Sequence, residues 1–189
     1  MKKVLIIFSV IVVLLGALIA SIWYRSYNGE IEMNNQIENI RGDVHAAMGA
    51  RYEKVAAFID AIQGANATVS GYLGIIRDAR TAFANAISTE NFAAADEAGG
   101  LIDSTFVNLL SYMEDNPSSY NTVNLYSGFM GEFAASTNTV LNEIRAYNAS
   151  VRDYNTHIQR FPNKMFLSGK QAKTQYEVPN YNAELPTFN

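Results

Sequence analysis

Residues Val123 to Pro162 read VNLYSGFMGEFAASTNTVLNEIRAYNASVRDYNTHIQRFP, and this stretch decides the fold. Val123, Tyr126, Met130, Phe133, Thr137, Val140, Ile144, Tyr147, Val151, Tyr154 and Ile158 follow one another in alternating steps of three and four. Such steps place all of them on one face of an α-helix. A repeat sustained this long is the pattern of helices packed along their lengths in a bundle or coiled coil. Phe161-Pro162 stops the helix, because the residue before a proline is pushed out of helical conformation. The spacing predicts a helix over about residues 120–161.

Three more helices precede it. Ile37, Ile40, Val44, Ala47, Arg51, Val55, Phe58 and Ile62 share one face and predict a helix over about 30–63. Gly64 and Asn66 supply its stop and the next start. Val69, Leu73, Ile76, Phe83 and Ile87 predict a second helix over about 66–88. Phe92, Ala95, Gly99, Ile102, Phe106, Leu109 and Met113 predict a third over about 91–114, ending before Asn116-Pro117. Gly99-Gly100 lowers helix propensity inside it and marks a close packing contact or a bend. Short connections make sequential helices antiparallel. The expected fold is all-α: an N-terminal transmembrane helix in residues 1–25, then an antiparallel up-down-up-down four-helix bundle in 26–162, with long first and fourth helices. Residues 163–189 carry Pro179 and Pro186 without a period. They form a tail, either partly docked through Phe166, Leu167, Tyr176, Val178 and Tyr181 or loosely ordered.

The anchor is the run Val4 to Tyr24, VLIIFSVIVVLLGALIASIWY, which holds no charge. At about 1.5 Å per residue it crosses a hydrocarbon core of about 30 Å. Trp23 and Tyr24 stand where an interfacial aromatic belt belongs, and Arg25 closes the run. A cleaved signal peptide is the rival reading, but the apolar run is long for one, and a cut after Ala20 puts Leu18 where a small residue belongs. A polar junction at Ser26 to Gly29 is expected between anchor and bundle. Lys2 and Lys3 outnumber Arg25, which keeps the N-terminus cytoplasmic and the domain extracytoplasmic.

The net charge of −4 conceals an asymmetry. No Lys or Arg occurs between Arg80 and Arg145, a stretch that holds Glu90, Asp96, Glu97, Asp103, Glu114, Asp115, Glu132 and Glu143. A nucleic-acid partner needs clustered cations on one face, so none is expected. An antiparallel bundle returns its last helix toward the anchor, bringing Arg152, Arg160, Lys164, Lys170 and Lys173 near the headgroups as a candidate lipid-facing cluster. The plainer alternative is that they complement the helix dipole.

Chemistry is sparse. Cysteine is absent, which removes disulfides, thiolate metal sites and cysteine nucleophiles. His157 follows Asp153 at helical spacing, and His45 stands near Asp43, but bundle metal centres repeat Glu-x-x-His on facing helices and neither histidine sits in one. No catalytic residue, metal site, cofactor or small-molecule substrate is expected. Arg51 and Arg80 fall on or beside apolar stripes, where a charge requires a partner, so each is expected to be buried and paired with an acid on a neighbouring helix. The sequons at Asn66 and Asn148 lie within predicted helices.

The segment from Ala146 to Phe166 repeats Tyr-Asn one heptad apart, at 147–148 and 154–155. Each ring is expected to be buried while each Asn hydrogen-bonds at the rim. The segment resembles the signature of the LemA family, YNxxVxxYNxxIxxFP, matched by Tyr147, Asn148, Val151, Tyr154, Asn155, Ile158, Phe161 and Pro162. Tyr27-Asn28, Arg51-Tyr52 and Ala79-Arg80 agree with the family in outline. Glu53 onward departs from it, because the family's Ile-Pro-Asn-Leu is missing, which suggests a divergent member. The resemblance implies a four-helix bundle on a bacterial membrane and little about mechanism. The expected role is a non-enzymatic envelope scaffold or adaptor that binds a protein partner or itself. The alternatives are a membrane-organising, lipid-interacting protein and, further off, a metal-dependent enzyme or receptor.

Overall fold

The structure, a computed structural model, describes residues 2–61, 67–116 and 122–176. Ile62, Gly64, Asn66, Pro117, Val178, Pro179, Tyr181 and Pro186 lie outside the described residues, as do the side chains of Val123, Tyr126 and Met130. The helices are α1 (Lys2–Ala61), α2 (Ala67–Ser88), α3 (Phe92–Asp115), α4 (Thr122–Gln159) and the single turn α5 (Asn163–Phe166). The fold is all-α, with no strand among the described residues.

The junction expected at Ser26 to Gly29 is not a break, for α1 runs through it as one helix. Ser26, the buried polar residue of the run, has partners within reach, so the helix continues without leaving it unsatisfied. Ser26 Oγ lies 2.8 Å from the Ile22 carbonyl and 2.7 Å from Asn163 Oδ1, sharing its one proton between two acceptors. Gly29 costs the helix about 1 kcal/mol of propensity but lets another side chain approach: a Cβ there would stand 2.9 Å from Cε1 of His157.

The described residues fall into two compact units, 2–41 with 145–176, and 42–144. The second unit contains segments of all four long helices. Tyr52 of α1 meets Phe83 of α2 edge-on at 5.1 Å, and Phe58 meets Phe106 of α3 at 5.8 Å and Phe129 of α4 at 4.4 Å. Moving along α1, Arg51, Lys54 and Phe58 meet Thr137, Glu132 and Phe129, so α4 is antiparallel to it. His45, Arg51 and Phe58 meet Asp96, Asp103 and Phe106 in turn, so α3 runs parallel to α1. Tyr72 against Tyr112 pairs the start of α2 with the end of α3. This is the up-down-up-down order. Val44, Val55, Val69, Ile76, Ile102, Phe106, Leu109, Val140 and Ile144 fill its core, each contributing about 1.5–3 kcal/mol of burial.

Two backbone details fix this unit. At the end of α2, Glu90 has φ 54, in the left-handed region. Its N–H donates to the Ile87 carbonyl and that of Asn91 to the Ala86 carbonyl, the paired bonds that close a helix C-terminus. Asn91 then caps α3, its side chain accepting from the Ala94 N–H. Gly99 is a close packing contact: a Cβ there would stand 2.4 Å from the Tyr52 hydroxyl, whereas one at Gly100 would meet nothing within 4 Å.

In the first unit, α1 and the C-terminal part of α4 pack antiparallel. From Val4 to Tyr24 the apolar side chains of α1 are exposed, apart from the half-buried Ile22. This is a helix long and apolar enough to cross a membrane. After α5 the described residues 167–176 are not helical: Leu167 is buried, and residues 171–176 form a strap against α4.

Candidate functional site

Tyr147, Val151, Tyr154 and Ile158 are buried on the face of α4 that meets α1. Tyr154 donates its hydroxyl to Glu30 Oε1 at 3.1 Å, and Lys170 Nζ reaches Glu30 Oε2 at 2.9 Å. Glu30 is only 3% exposed, so both partners are needed to hold its charge. Burial, reinforced by the hydrogen bond and the negative charge of Glu30, pushes the Tyr154 phenol up to about 12. The Glu30 hydrogen bond holds the Lys170 ammonium above its ordinary value against some desolvation. One heptad back along α4, the Tyr147 hydroxyl accepts from Arg41 Nη2 at 2.9 Å, and Arg41 also donates to Glu38 at 2.8 Å.

The two asparagines of the repeat share a different task. Asn155 Oδ1 accepts the Lys173 N–H at 2.8 Å while its Nδ2 donates to the Lys173 carbonyl at 2.9 Å. Asn148 repeats the pairing on Tyr176, at 2.8 and 3.0 Å. Each side-chain amide therefore pairs with a main-chain residue as a neighbouring strand would. The register works because seven helical residues rise about 10.5 Å and three extended residues advance about 10 Å. Side chains finish the strap: Lys173 pairs with Glu38 at 2.9 Å, and the Tyr176 ring packs on that of Tyr147 at 4.8 Å.

Below the strap, His157 Nε2 faces the Ser26 carbonyl at 3.0 Å and so donates to it. Its Nδ1 lies 3.2 Å from Asn163 Nδ2, which also donates to the His157 carbonyl. Asn163 thus joins the turn after α4 to α1 at Ser26.

The other candidate residues distribute unevenly. His157 turns to α1, where Gly29 leaves room, and Asp153 stays exposed, so the two do not form the pair their spacing suggests. His45 is buried with Nε2 3.4 Å from Asp96, stacked on Phe92 at 5.0 Å; its partner is not the nearby Asp43. Among the described residues no group of three His, Asp or Glu is placed to hold a metal. Arg51 is buried and paired with Asp103, with its Nε donating to Thr137 at 3.1 Å. Burial pushes the Asp103 carboxyl up against the pull of Arg51. Arg80 is only half-buried, because Ala79 takes the core position beside it. The basic cluster divides: Lys170 and Lys173 are engaged with Glu30 and Glu38, while Arg152, Arg160 and Lys164 are exposed. Of the two sequons, Asn148 is buried with its amide committed to the strap, and Asn66 lies outside the described residues.

The LemA family model matches residues 40–189, a span that takes in all of α2, α3 and α4. This chain belongs to the LemA family. No curated protein and no solved structure matches it.

The LemA repeat on α4 is therefore a holding device in this chain, with Tyr toward α1 and Asn toward the strap. Sequence reasoning missed Glu30, Ser26, Asn163 and Asp103. A signal for Glu30 existed: Glu30, Ile37, Val44, Arg51 and Phe58 stand at strict heptad spacing, and all five are buried. No periodic signal marks Asn163 or Lys173, which lie outside the long helices.

Proposed function

We propose that this LemA family protein is a membrane-anchored, non-enzymatic helical scaffold or adaptor of the bacterial envelope that acts through protein–protein contacts. The observation that carries the reading is the continuity of α1. The helix that is apolar and exposed from Val4 to Tyr24 becomes, from Ser26 onward, a packed partner of α4. The anchor and the stretch of α1 that packs on α4 are one continuous helix, so no flexible linker separates the span from that packed segment. The engagement of the Tyr-Asn repeat in packing and strap-holding also supports a role in presenting surfaces over one in transforming a substrate. Lys2 and Lys3 keep the N-terminus cytoplasmic and the body outside.

Exposed Ile75 on α2 and Leu101 on α3 are the positions at which to test it. A photo-crosslinking residue placed at either site in living cells is expected to give a discrete adduct, with one envelope protein or with a second copy. Diffuse labelling without a discrete adduct at both sites would count against the scaffold. A phosphatase fused at the C-terminus reads the orientation independently, and is expected to be active only outside the cytoplasm.

A further inference from the structure

Outside the apolar span, two large apolar side chains stand out on the first unit: Phe161 is 77% exposed and Met165 is 68% exposed. They flank Pro162 and Asn163 in the turn that follows α4, and each has an exposed cation just before it, Arg160 and Lys164. An aromatic and a thioether left in water, each beside a cation, form a small amphipathic surface without an internal packing role. Its position is fixed by Asn163, whose Oδ1 lies 2.7 Å from Ser26 Oγ. Ser26 is two residues beyond Tyr24, a rise of about 3 Å along the helix. The turn is thereby held at the level of Trp23, Tyr24 and Arg25, where the apolar span ends.

We propose that this turn is a second membrane contact: Phe161 and Met165 enter the interfacial layer of the bilayer, and Arg160 and Lys164 meet anionic headgroups. The chemistry suits a lipid surface. Aromatic rings favour the interface, thioethers fill irregular apolar space, and cations beside an apolar wedge are attracted by the anionic leaflet. Lys170 and Lys173 contribute little to this contact because Glu30 and Glu38 already engage them. The proposal rests on the reading of Val4 to Tyr24 as a membrane span. It adds that the turn after α4 is seated on the membrane beside that span, a second point of attachment for the first unit.

The test uses the full chain in vesicles of phosphatidylethanolamine and phosphatidylglycerol, some with brominated acyl chains. The sequence contains 1 tryptophan, Trp23. Quenching of Trp23 by brominated lipid tests the span alone. In a Trp23→Phe background, Phe161→Trp and, separately, Met165→Trp move the only reporter into the turn, and Leu101→Trp supplies a water-facing reference. All three substituted side chains are exposed, and far-ultraviolet circular dichroism checks that helix content is retained. The expected result is a blue-shifted emission and loss of intensity with brominated lipid at 161 and 165, with none at 101. The loss should shrink when Arg160 and Lys164 become Gln or when phosphatidylglycerol is left out. Emission at 161 and 165 that matches 101, quenched by acrylamide but not by brominated lipid while Trp23 remains lipid-quenched, overturns the contact and leaves the span intact. Reporters shielded from both quenchers overturn it too, and assign the turn to a second copy. An unquenched Trp23 overturns the span.

Discussion

Glu30 and Tyr154, 124 positions apart in the chain, share a buried hydrogen bond of 3.1 Å that ties α1 to α4. Burial, reinforced by the hydrogen bond to Glu30, keeps the phenol neutral and pushes Tyr154 up to about 12 from an ordinary 10.0. A raised folded value means that this contribution is fully present below about pH 10 and is lost as pH rises through 12, a loss of about 2 kcal/mol. Denaturant unfolding of the full chain in detergent, followed from pH 9 to 12, should show that loss. Tyr154→Phe should be less stable at neutral pH by about 1–3 kcal/mol and should flatten the alkaline slope. An unchanged slope would detach Tyr154 from Glu30.

The buried pair of Arg51 and Asp103 behaves differently from a surface salt bridge. Arg51→Met removes the cation but leaves the carboxylate largely buried, at a cost of about 3 kcal/mol. Adding Asp103→Leu removes the stranded charge and should recover most of the loss. A double-mutant cycle in the same unfolding assay measures the coupling. Purely additive losses would mean that the two side chains do not depend on one another.

Gly99 is tested through its neighbour. Gly99→Ala drives a methyl group against the Tyr52 hydroxyl, and Tyr52 is 2% exposed with little room to move. The expected loss is about 1–3 kcal/mol. Tyr52→Phe removes the clashing atom, leaving ring carbon Cζ at 3.3 Å as the nearest. The double variant should therefore lose less than the sum of the two single changes, read as midpoint shifts in thermal melting.

The turn between α2 and α3 offers a stabilising change. Glu90 adopts φ 54 where glycine is the usual residue. Glu90→Gly relieves the left-handed cost and should raise stability by about 0.5–1 kcal/mol. Asn91→Ala, which removes the cap on α3, should lower it by about 1 kcal/mol. Opposite shifts of melting temperature at adjacent positions would support both assignments.

The all-α class and the four long helices were legible because each core face repeats at helical spacing. The LemA resemblance was legible because its Tyr-Asn repeat lies within one unbroken helix. What escaped was polar. The run Ser26 to Gly29 looked like a junction because its residues are not apolar, yet Ser26 and Glu30 are buried with partners on segments far away in sequence. Asp153 and His157 looked paired because local spacing is all that one helix reveals; the room left by Gly29 turned the imidazole elsewhere. The strap at 171–176 has no periodicity, and its order comes from Asn148 and Asn155 acting on its backbone, which no side-chain pattern in the strap encodes.

The central claim, that the LemA repeat is a device for holding structure, is tested most directly by amide hydrogen exchange at Lys173 and Tyr176 in the full chain. Their N–H groups donate to Asn155 and Asn148. Both should be protected in the native protein. Asn155→Ala should release Lys173, and Asn148→Ala should release Tyr176. Native exchange at the rate of an unstructured peptide at both amides would contradict the account.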